Sequence, residues 1–163
     1  MALVFLAIGS NTGDREAHVQ KALGLLKEHK DIKVLSISNL IETEAVGGPP
    51  QGRFLNGANK IDTDLMPLDL LTQLKIIERR LGRTKQELNA PRPMDLDILF
   101  YEDVVIQDGK NITLPHPRLA ERYFVLKPLV EIAPDLMHPR FQKTVKELYE
   151  ELTNESSQNL TSS

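Results

Sequence analysis

The chain has 163 residues, 40% of them hydrophobic and 26% charged, which is enough for one globular domain with a substantial core. It contains no cysteine, which excludes disulfides and thiolate zinc sites, and its four histidines show no metal-ligand spacing. A net charge of -3 excludes a general attraction to nucleic acid or an anionic membrane, so any affinity for phosphate must come from local clusters of basic side chains.

The first predicted element is a buried strand at residues 2–8, an apolar run that leads directly into Gly9-Ser10-Asn11. This run has no basic leader and no cleavage site, so we expect a core strand of a cytoplasmic protein. A turn follows, and then a helix with apolar residues at helical spacing, for which Asp14 is the predicted N-cap.

Two further strands are predicted at residues 33–41 and 54–61, where they can pair as a hairpin. Their connection, residues 43–52, is rich in glycine and proline, and a loop of this kind in a small domain is typical of a functional segment. Pro67 begins a second helix, whose apolar residues recur at helical spacing and which ends near Gly82.

The next strand carries two carboxylates. Asp95 and Asp97 interrupt an apolar run two residues apart, and the alternation of a strand places both on one face. Burying two like charges is costly unless a cation compensates them, and oxygen ligands suit Mg²⁺, which often brings a substrate phosphate with it. The alternative is an Asp-x-Asp pair in a solvated turn without a metal, and the pattern alone leaves both open.

The C-terminal third is predicted to be mostly helical. Residues 104–106 are expected to pair back with the carboxylate strand as a short hairpin. A rigid Pro-His-Pro turn leads to a short helix at 118–126, and helical turns follow at 128–133 and 144–152.

Residues 153–163 are polar and serine-rich, and we expect a disordered tail there, which leaves one domain at residues 1–152. The order strand, helix, strand, strand, helix, strand predicts an α+β fold. We expect a ferredoxin-like two-layer sandwich, a mainly antiparallel sheet with helices packed on one face.

Basic residues flank the carboxylate strand. They are Arg83, Lys85, Arg92, Arg118 and Arg122, joined by His116. Together with a metal they suit a polyphosphate, because phosphoryl transfer needs positioning and charge neutralisation; taken singly, each is as compatible with a surface cation. The chain has neither of the glycine-rich nucleotide fingerprints and no nucleophile elbow, so direct transfer between two bound substrates is favoured.

A second pocket is indicated by polar and aromatic residues on an earlier strand and on the later predicted helix at 118–126. Asn56 offers a donor and an acceptor together, and the rings of Phe54 and Phe124 can stack on a planar heterocycle. The alternative for each ring alone is an ordinary core position.

Five motifs occur here in one order: Gly9-Ser10-Asn11; Phe54-Leu55-Asn56; Glu78 with Gly82-Arg83; Pro91-Arg92-x-x-Asp95-Leu96-Asp97-Ile98; and Pro115-His116 with Arg122 and Phe124. Together they closely resemble the 6-hydroxymethyl-7,8-dihydropterin pyrophosphokinase family of folate biosynthesis, over residues 2–152. The resemblance implies a ferredoxin-like fold and transfer of pyrophosphate from ATP to the pterin hydroxymethyl group, with release of AMP.

The resemblance also implies roles for single residues. Asp95 and Asp97 would hold two Mg²⁺ ions across the ATP phosphates, with Arg83 and Arg92 assisting catalysis. The implied ATP contacts are Lys75, Glu78, Lys85, Arg92, Ile98, Thr113, His116 and Arg122. The implied pterin pocket consists of Thr43, Val46, Phe54, Asn56, Asp95 and Phe124, with the two aromatic rings on either side of the heterocycle.

The chain departs from the family pattern in three places. Lys85 stands where some members have arginine, which keeps the charge and loses the bidentate fork. Residues 86–90 lack an arginine and a tryptophan and are one residue shorter, and Pro117 replaces a tyrosine. We expect activity with altered loop dynamics or altered ATP affinity.

Two other readings remain at this stage. A nucleotidyltransferase also follows Gly-Ser with paired carboxylates, although that class places them soon after the Gly-Ser and here they lie far along the chain. A non-catalytic ligand-binding module is the second. The expected partners are ATP and a reduced pterin, with no nucleic acid, no membrane and no obligate protein partner, and we expect a monomer.

Overall fold

The computed structural model describes residues 1–11, 14–43, 54–81, 94–107 and 110–161. The glycine- and proline-rich connection predicted at 43–52 lies outside these residues apart from Thr43. The segment 82–93, with the shortened stretch at 86–90, lies outside them as well.

Five strands and four helices make up the described part of the chain: β1 Ala2–Ser10, α1 Arg15–Glu28, β2 Ile32–Ile37, β3 Ile41–Thr43, β4 Phe54–Thr63, α2 Pro67–Arg80, β5 Asp95–Tyr101, α3 Tyr123–Ile132 and α4 Val145–Thr161. The N-cap prediction for α1 is confirmed, since Asp14 Oδ1 accepts a hydrogen bond from the Ala17 amide at 3.1 Å. Pro67 occupies the first turn of α2, where its missing N–H costs nothing.

The strands form one antiparallel sheet in the order β2-β4-β1-β5, and β3 also pairs with β4. The predicted pairing of residues 33–41 with 54–61 is confirmed, but the first of these strands is divided into β2 and β3. Polar contacts divert the chain between them: the Ser38 hydroxyl accepts a hydrogen bond from the Ala58 amide, and Glu131 of α3 accepts one from the Asn39 amide.

Two hydrophobic cores lie on opposite faces of the sheet. Val4, Leu6 and Ile8 of β1 pack with α1 and α2, whereas Phe5 packs with α3 and α4. The α+β class and the antiparallel sheet are confirmed. The helices occupy both faces rather than the one face expected, because β1 is apolar from Ala2 to Ile8 and most of these residues, on both sides of the strand, are buried.

Two predictions for the C-terminal third are wrong. Residues 104–106 form no hairpin with β5, because after the turn at Glu102, where φ is 49°, Ile106 exchanges its backbone hydrogen bonds with Leu114. The helix expected at 118–126 is a 3₁₀ turn at Leu119–Glu121 followed by α3, since Arg122 between them is extended.

The last helix, α4, runs from Val145 to Thr161 and so continues past residue 152, where the sequence analysis ends the domain. The side chains of residues 155–163 lie outside the described part, and the division of the chain at residue 152 stays a prediction. No helix of the described residues is long and apolar enough to cross a membrane.

Candidate active site

A cavity of about 570 Å³ opens on the face of the sheet that carries α3, and its size suits a small molecule. Small residues of β1 and β4 (Ala7, Gly9 and Gly57) make part of its floor. Its other lining residues are Ile8, Thr43, Phe54, Asn56, Asp95, Asp97, Leu99, His116, Arg118, Glu121, Arg122, Tyr123, Phe124 and Val125.

The two carboxylates of β5 both face this cavity. Asp95 lies opposite Gly9 and Asp97 opposite Ala7 in the antiparallel pairing with β1, while Leu96 points into the core on the other face. The predicted placement of Asp95 and Asp97 on one face is therefore confirmed, and it follows from strand alternation.

The pair is electrostatically unfavourable without a cation. Burial, together with the neighbouring Asp95 and Glu78 carboxylates, raises the pKa of Asp97 to about 6, even though Lys75 and Arg122 act in the opposite direction. A bound divalent cation would remove this penalty, because it favours the ionised form of both carboxyl groups.

The donor set fits Mg²⁺ that is shared with a ligand. Asp95 and Asp97 offer carboxylate oxygens, and the described residues contain no group of three or more His, Cys, Asp or Glu side chains that could hold a metal ion. Mg²⁺ commonly uses one or two protein carboxylates and completes its shell with water and phosphate oxygens. The site therefore fits a metal that arrives with a polyphosphate.

One wall of the cavity is basic, with His116, Arg118 and Arg122 in its lining. The Arg118 amide donates a hydrogen bond to His116 Nδ1 at 3.2 Å, so the proton of a neutral His116 ring lies on Nε2. Burial, Arg122 and Arg118 together lower the pKa of His116 to about 4. At neutral pH this wall thus offers a neutral Nε2–H donor beside two guanidinium groups.

The part of the cavity near β3 and β4 is partly aromatic. The Asn56 side-chain amide donates to the Thr43 hydroxyl at 2.7 Å, which fixes the amide plane and leaves its carbonyl turned toward β1. Phe54 and Phe124 line the cavity, and the Arg122 guanidinium lies 5.6 Å from the centre of the Phe124 ring. This part suits a planar heterocycle with hydrogen-bonding edges.

Half of the residues singled out by the sequence line this one cavity: Thr43, Phe54, Asn56, Asp95, Asp97, His116, Arg122 and Phe124. Lys75, Glu78, Ile98 and Thr113 do not line it. Ile98 points into the core beneath the opposite face, and Glu78 is buried beside it on α2. Val46, Arg83, Lys85 and Arg92 lie outside the described residues.

The structure adds lining residues to which the sequence assigned no role. Glu121 and Tyr123 could not be found without knowing that α3 begins beside the carboxylates. Arg118 also lines the cavity, and the sequence had already placed it in the basic group expected to suit a polyphosphate. Gly57 gave no signal of the cavity either, because the groups that a Cβ there would approach are Leu40, Ile8 and Ser38, so this glycine reflects close packing within the protein.

The fold and the cavity together define an α+β protein whose cavity suits a polyphosphate with a divalent cation and a small planar ligand. Residues 5–134 match the family described as 7,8-dihydro-6-hydroxymethylpterin-pyrophosphokinase (HPPK). The chain belongs to this family, which confirms the resemblance seen in its motifs.

Named relatives agree with this assignment. The chain is 42% identical over 153 residues to the 2-amino-4-hydroxy-6-hydroxymethyldihydropteridine pyrophosphokinase of Aquifex aeolicus, covering 94% of each protein. It is 43% identical over 130 residues to the enzyme of the same name from Bacillus subtilis, covering 80% of this chain and 77% of that one. It is 41% identical to the Folic acid synthesis protein fol1 of Schizosaccharomyces pombe, but spans only 21% of that protein's length.

Solved structures share the fold. The chain superimposes on a structure described as HPPK-DHPS in complex with substrates with a TM-score of 0.73 at 15% identity, covering 96% of this chain and 44% of that one. The Plasmodium falciparum HPPK-DHPS with pteroate gives a TM-score of 0.74 at 17% identity, covering 98% and 44%. At such low identity these similarities establish the fold alone, and the chain spans less than half of each of these proteins.

Proposed function

We propose that the protein transfers pyrophosphate from ATP to 6-hydroxymethyl-7,8-dihydropterin in folate biosynthesis, giving the pterin diphosphate and AMP. The observation that carries the proposal is that Asp95 and Asp97 line the same cavity as a basic group of side chains and two aromatic rings. Membership of the HPPK family and the names of the relatives support the same reaction.

Asp95 and Asp97 would hold two Mg²⁺ ions together with the ATP phosphates. When bound, the metal supplies charge neutralisation on the phosphates and favours ionisation of the pterin hydroxyl. Among the described residues, Asp97 is the group that we propose to accept the proton of that hydroxyl, because it is both buried and beside the second carboxylate.

The basic wall binds the triphosphate. His116 donates from Nε2, and the Arg118 and Arg122 guanidiniums supply charge-assisted hydrogen bonds to phosphate oxygens. We extend the same role to Arg83, Lys85 and Arg92 on the strength of the family motif. Lys75, Glu78, Ile98 and Thr113, which do not line the cavity, remain proposed nucleotide contacts only through that motif.

The pterin occupies the end of the cavity formed by β3 and β4. Asn56, oriented by Thr43, reads the hydrogen-bonding edge of the heterocycle, while the rings of Phe54 and Phe124 stack on its faces. Val46 is proposed to complete this pocket from the family motif. Asp95 then lies between the two substrates, where it can orient the hydroxymethyl group.

Product analysis tests the reaction. The protein is incubated with Mg-ATP, with and without 6-hydroxymethyl-7,8-dihydropterin, and AMP, ADP and pyrophosphate are separated. Pterin-dependent AMP with pterin diphosphate and no free pyrophosphate establishes pyrophosphoryl transfer. ADP indicates a different phosphotransferase, free pyrophosphate a nucleotidyltransferase, and no turnover a binding module.

A further inference from the structure

A buried carboxylate of α2 holds the peptide group that lies between the two aspartates. Glu78 is 1% exposed, and its Oε2 accepts a hydrogen bond from the Leu96 amide at 2.7 Å. Leu96 is the one residue between Asp95 and Asp97. Glu78 therefore acts on the carboxylate pair from the opposite side of the strand.

The position of β5 explains why this contact is needed. β5 ends the strand order β2-β4-β1-β5, so within the described residues no strand pairs with its outer edge. In an antiparallel pair, successive residues direct their backbone groups alternately toward the partner and away from it. The Leu96 N–H is turned away from β1, and without Glu78 a buried donor would have no partner, which is costly.

The choice of a charged acceptor calls for a reason. A buried carboxylate is expensive to desolvate, and an amide side chain could accept the same hydrogen bond. Lys75 Nζ lies 3.2 Å from Glu78 Oε1 and offsets part of that cost. The charges of Lys75 and Glu78 also act on Asp97, in opposite directions, so this pair influences the site as well as the strand.

We propose that Glu78 is a positioning residue for the proposed reaction: by holding the Leu96 amide, it fixes the strand segment that aims Asp95 and Asp97 at the shared cation. This inference rests on the proposed function for the identity of the reaction, but the contact and its effect on cation binding are independent of the pterin. Glu78 touches neither substrate in this role, which differs from the nucleotide contact implied by the family motif.

Three variants separate the hydrogen bond from the charge. Glu78→Gln keeps an acceptor for the Leu96 amide and loses the charge, whereas Glu78→Ala loses both. Glu131→Gln is the matched control, because Glu131 also accepts a backbone amide hydrogen bond, from Asn39 at 3.0 Å, and lies outside the cavity lining. Each variant is compared by Mn²⁺ binding in the presence of a non-hydrolysable ATP analogue, by hydrogen exchange at the Leu96 amide, and by kcat and KM.

We expect Glu78→Ala to weaken Mn²⁺ binding about tenfold, to lower kcat more than it raises the KM for ATP, and to speed exchange at Leu96. Glu78→Gln should stay within about threefold of the unmodified protein in Mn²⁺ affinity and keep the Leu96 amide protected. Glu131→Gln should change none of these.

Two results would overturn the positioning role. One is an equal loss in Glu78→Gln and Glu78→Ala that appears in the KM for ATP with the Leu96 amide still protected, which indicates a direct nucleotide contact. The other is unchanged Mn²⁺ affinity in Glu78→Ala. If Glu78→Ala does not fold, fast exchange of Leu96 in the unmodified protein or loss of protection in Glu78→Gln would still reject the proposal. Failure of the proposed function would appear separately, as no pterin-dependent AMP from the unmodified protein with intact Mn²⁺ binding.

Discussion

Gly9 and Asn56 face each other across β1 and β4 with no room for a methyl group between them. A Cβ on Gly9 would lie 2.9 Å from Asn56 Oδ1, closer than non-bonded atoms approach. Asn56 cannot move away freely, because its amide is hydrogen-bonded to Thr43. The glycine in β1 is therefore a requirement of the proposed pterin pocket.

Replacing Gly9 with Ala should weaken pterin binding about tenfold, since displacing Asn56 loses roughly one hydrogen bond to the ligand. ATP binding should change much less. Calorimetric titration of each ligand, the pterin in the presence of a non-hydrolysable ATP analogue, measures both effects.

Gly24→Ala is the matched control, because a Cβ at Gly24 meets nothing within 4 Å and the residue is in helix α1. It should leave both affinities unchanged and raise the free energy of unfolding by about 0.5–1 kcal/mol. Equal pterin affinity in Gly9→Ala and Gly24→Ala would show that pterin binding does not depend on the space that Gly9 leaves for Asn56.

Replacing Asp97 with Asn should stabilise the metal-free protein in a pH-dependent way. The pKa of Asp97 is raised in the folded state from 3.8 to about 6, so the folded protein holds this proton more tightly than the unfolded chain. The group therefore destabilises the folded state increasingly as pH rises from about 4 to above 6. In EDTA at pH 7.5 the variant should be more stable by on the order of 1–3 kcal/mol, and the gain should shrink toward pH 4.5.

Thermal unfolding at the two pH values measures this gain. Adding Mg-ATP should reverse the order, because only the unmodified protein has both carboxylates for the cation, and turnover of the variant should fall by about 100-fold or more. An equal stability difference at both pH values would show that Asp97 carries no burial penalty.

His116 should remain neutral down to about pH 5 in the free protein. Its pKa is lowered to about 4 by burial and by Arg122 and Arg118, so the unfolded chain takes up a proton at a higher pH than the folded protein does. This residue therefore destabilises the fold as pH falls from 6.5 toward 4, and not above. NMR titration of the ring should show no change between pH 8 and 5, with His116→Asn used to assign the signal; a midpoint near 6.5 would contradict the proposed neutral donor.

The two arginines of the basic wall should differ in their effects. Arg118→Gln should weaken Mg-ATP binding about tenfold and leave the pterin affinity unchanged, because the described residues offer the Arg118 guanidinium no hydrogen-bond or ion-pair partner and it lines the cavity. Arg122→Gln should weaken the binding of both Mg-ATP and the pterin, since the Arg122 guanidinium also lies over the Phe124 ring.

Arg140→Gln is the control for these variants. The Arg140 guanidinium lies 5.8 Å from the Phe141 ring centre, a geometry close to that of Arg122 on Phe124, but it does not line the cavity. Fluorescence or calorimetric titration with Mg-ATP and with the pterin should find it unchanged. A loss as large as that of Arg118→Gln would indicate a general charge effect.

The local features of the site were predictable from sequence. Asp95 and Asp97 share a face because a strand alternates, and α1 begins at the predicted cap because Asp14 can hold an amide of its first turn. These predictions depend only on neighbours within a few residues. The fold class followed from the order of such elements.

The pairing register of the strands and the existence of a second hydrophobic core could not be predicted from local sequence patterns. Nothing local states that Asp95 lies opposite Gly9, or that Gly9 lies opposite Asn56, because strand pairing joins residues far apart in the chain. The α3 boundary was also missed: Pro128 favoured two short helical segments, but it lies buried inside one continuous helix. The loop residues Val46, Arg83, Lys85 and Arg92 lie outside the described residues, and their roles stay predictions.

The pairing of β1 with β5 skips one residue: Phe5 lies opposite Phe100 and Leu6 opposite Ile98, so Leu99 has no partner in β1. This bulge makes β5 unequally tolerant of changes in length. Deleting Leu99 would restore a regular ladder and keep all the remaining side chains of β5 on their present faces, but it would remove a buried leucine. Inserting a residue between Asp97 and Ile98 would instead turn the carboxylates away from the cavity. Insertions and deletions along β5 should thus be tolerated only where they leave the carboxylates facing the cavity. Relatives whose β5 differs in length should therefore differ at the bulge.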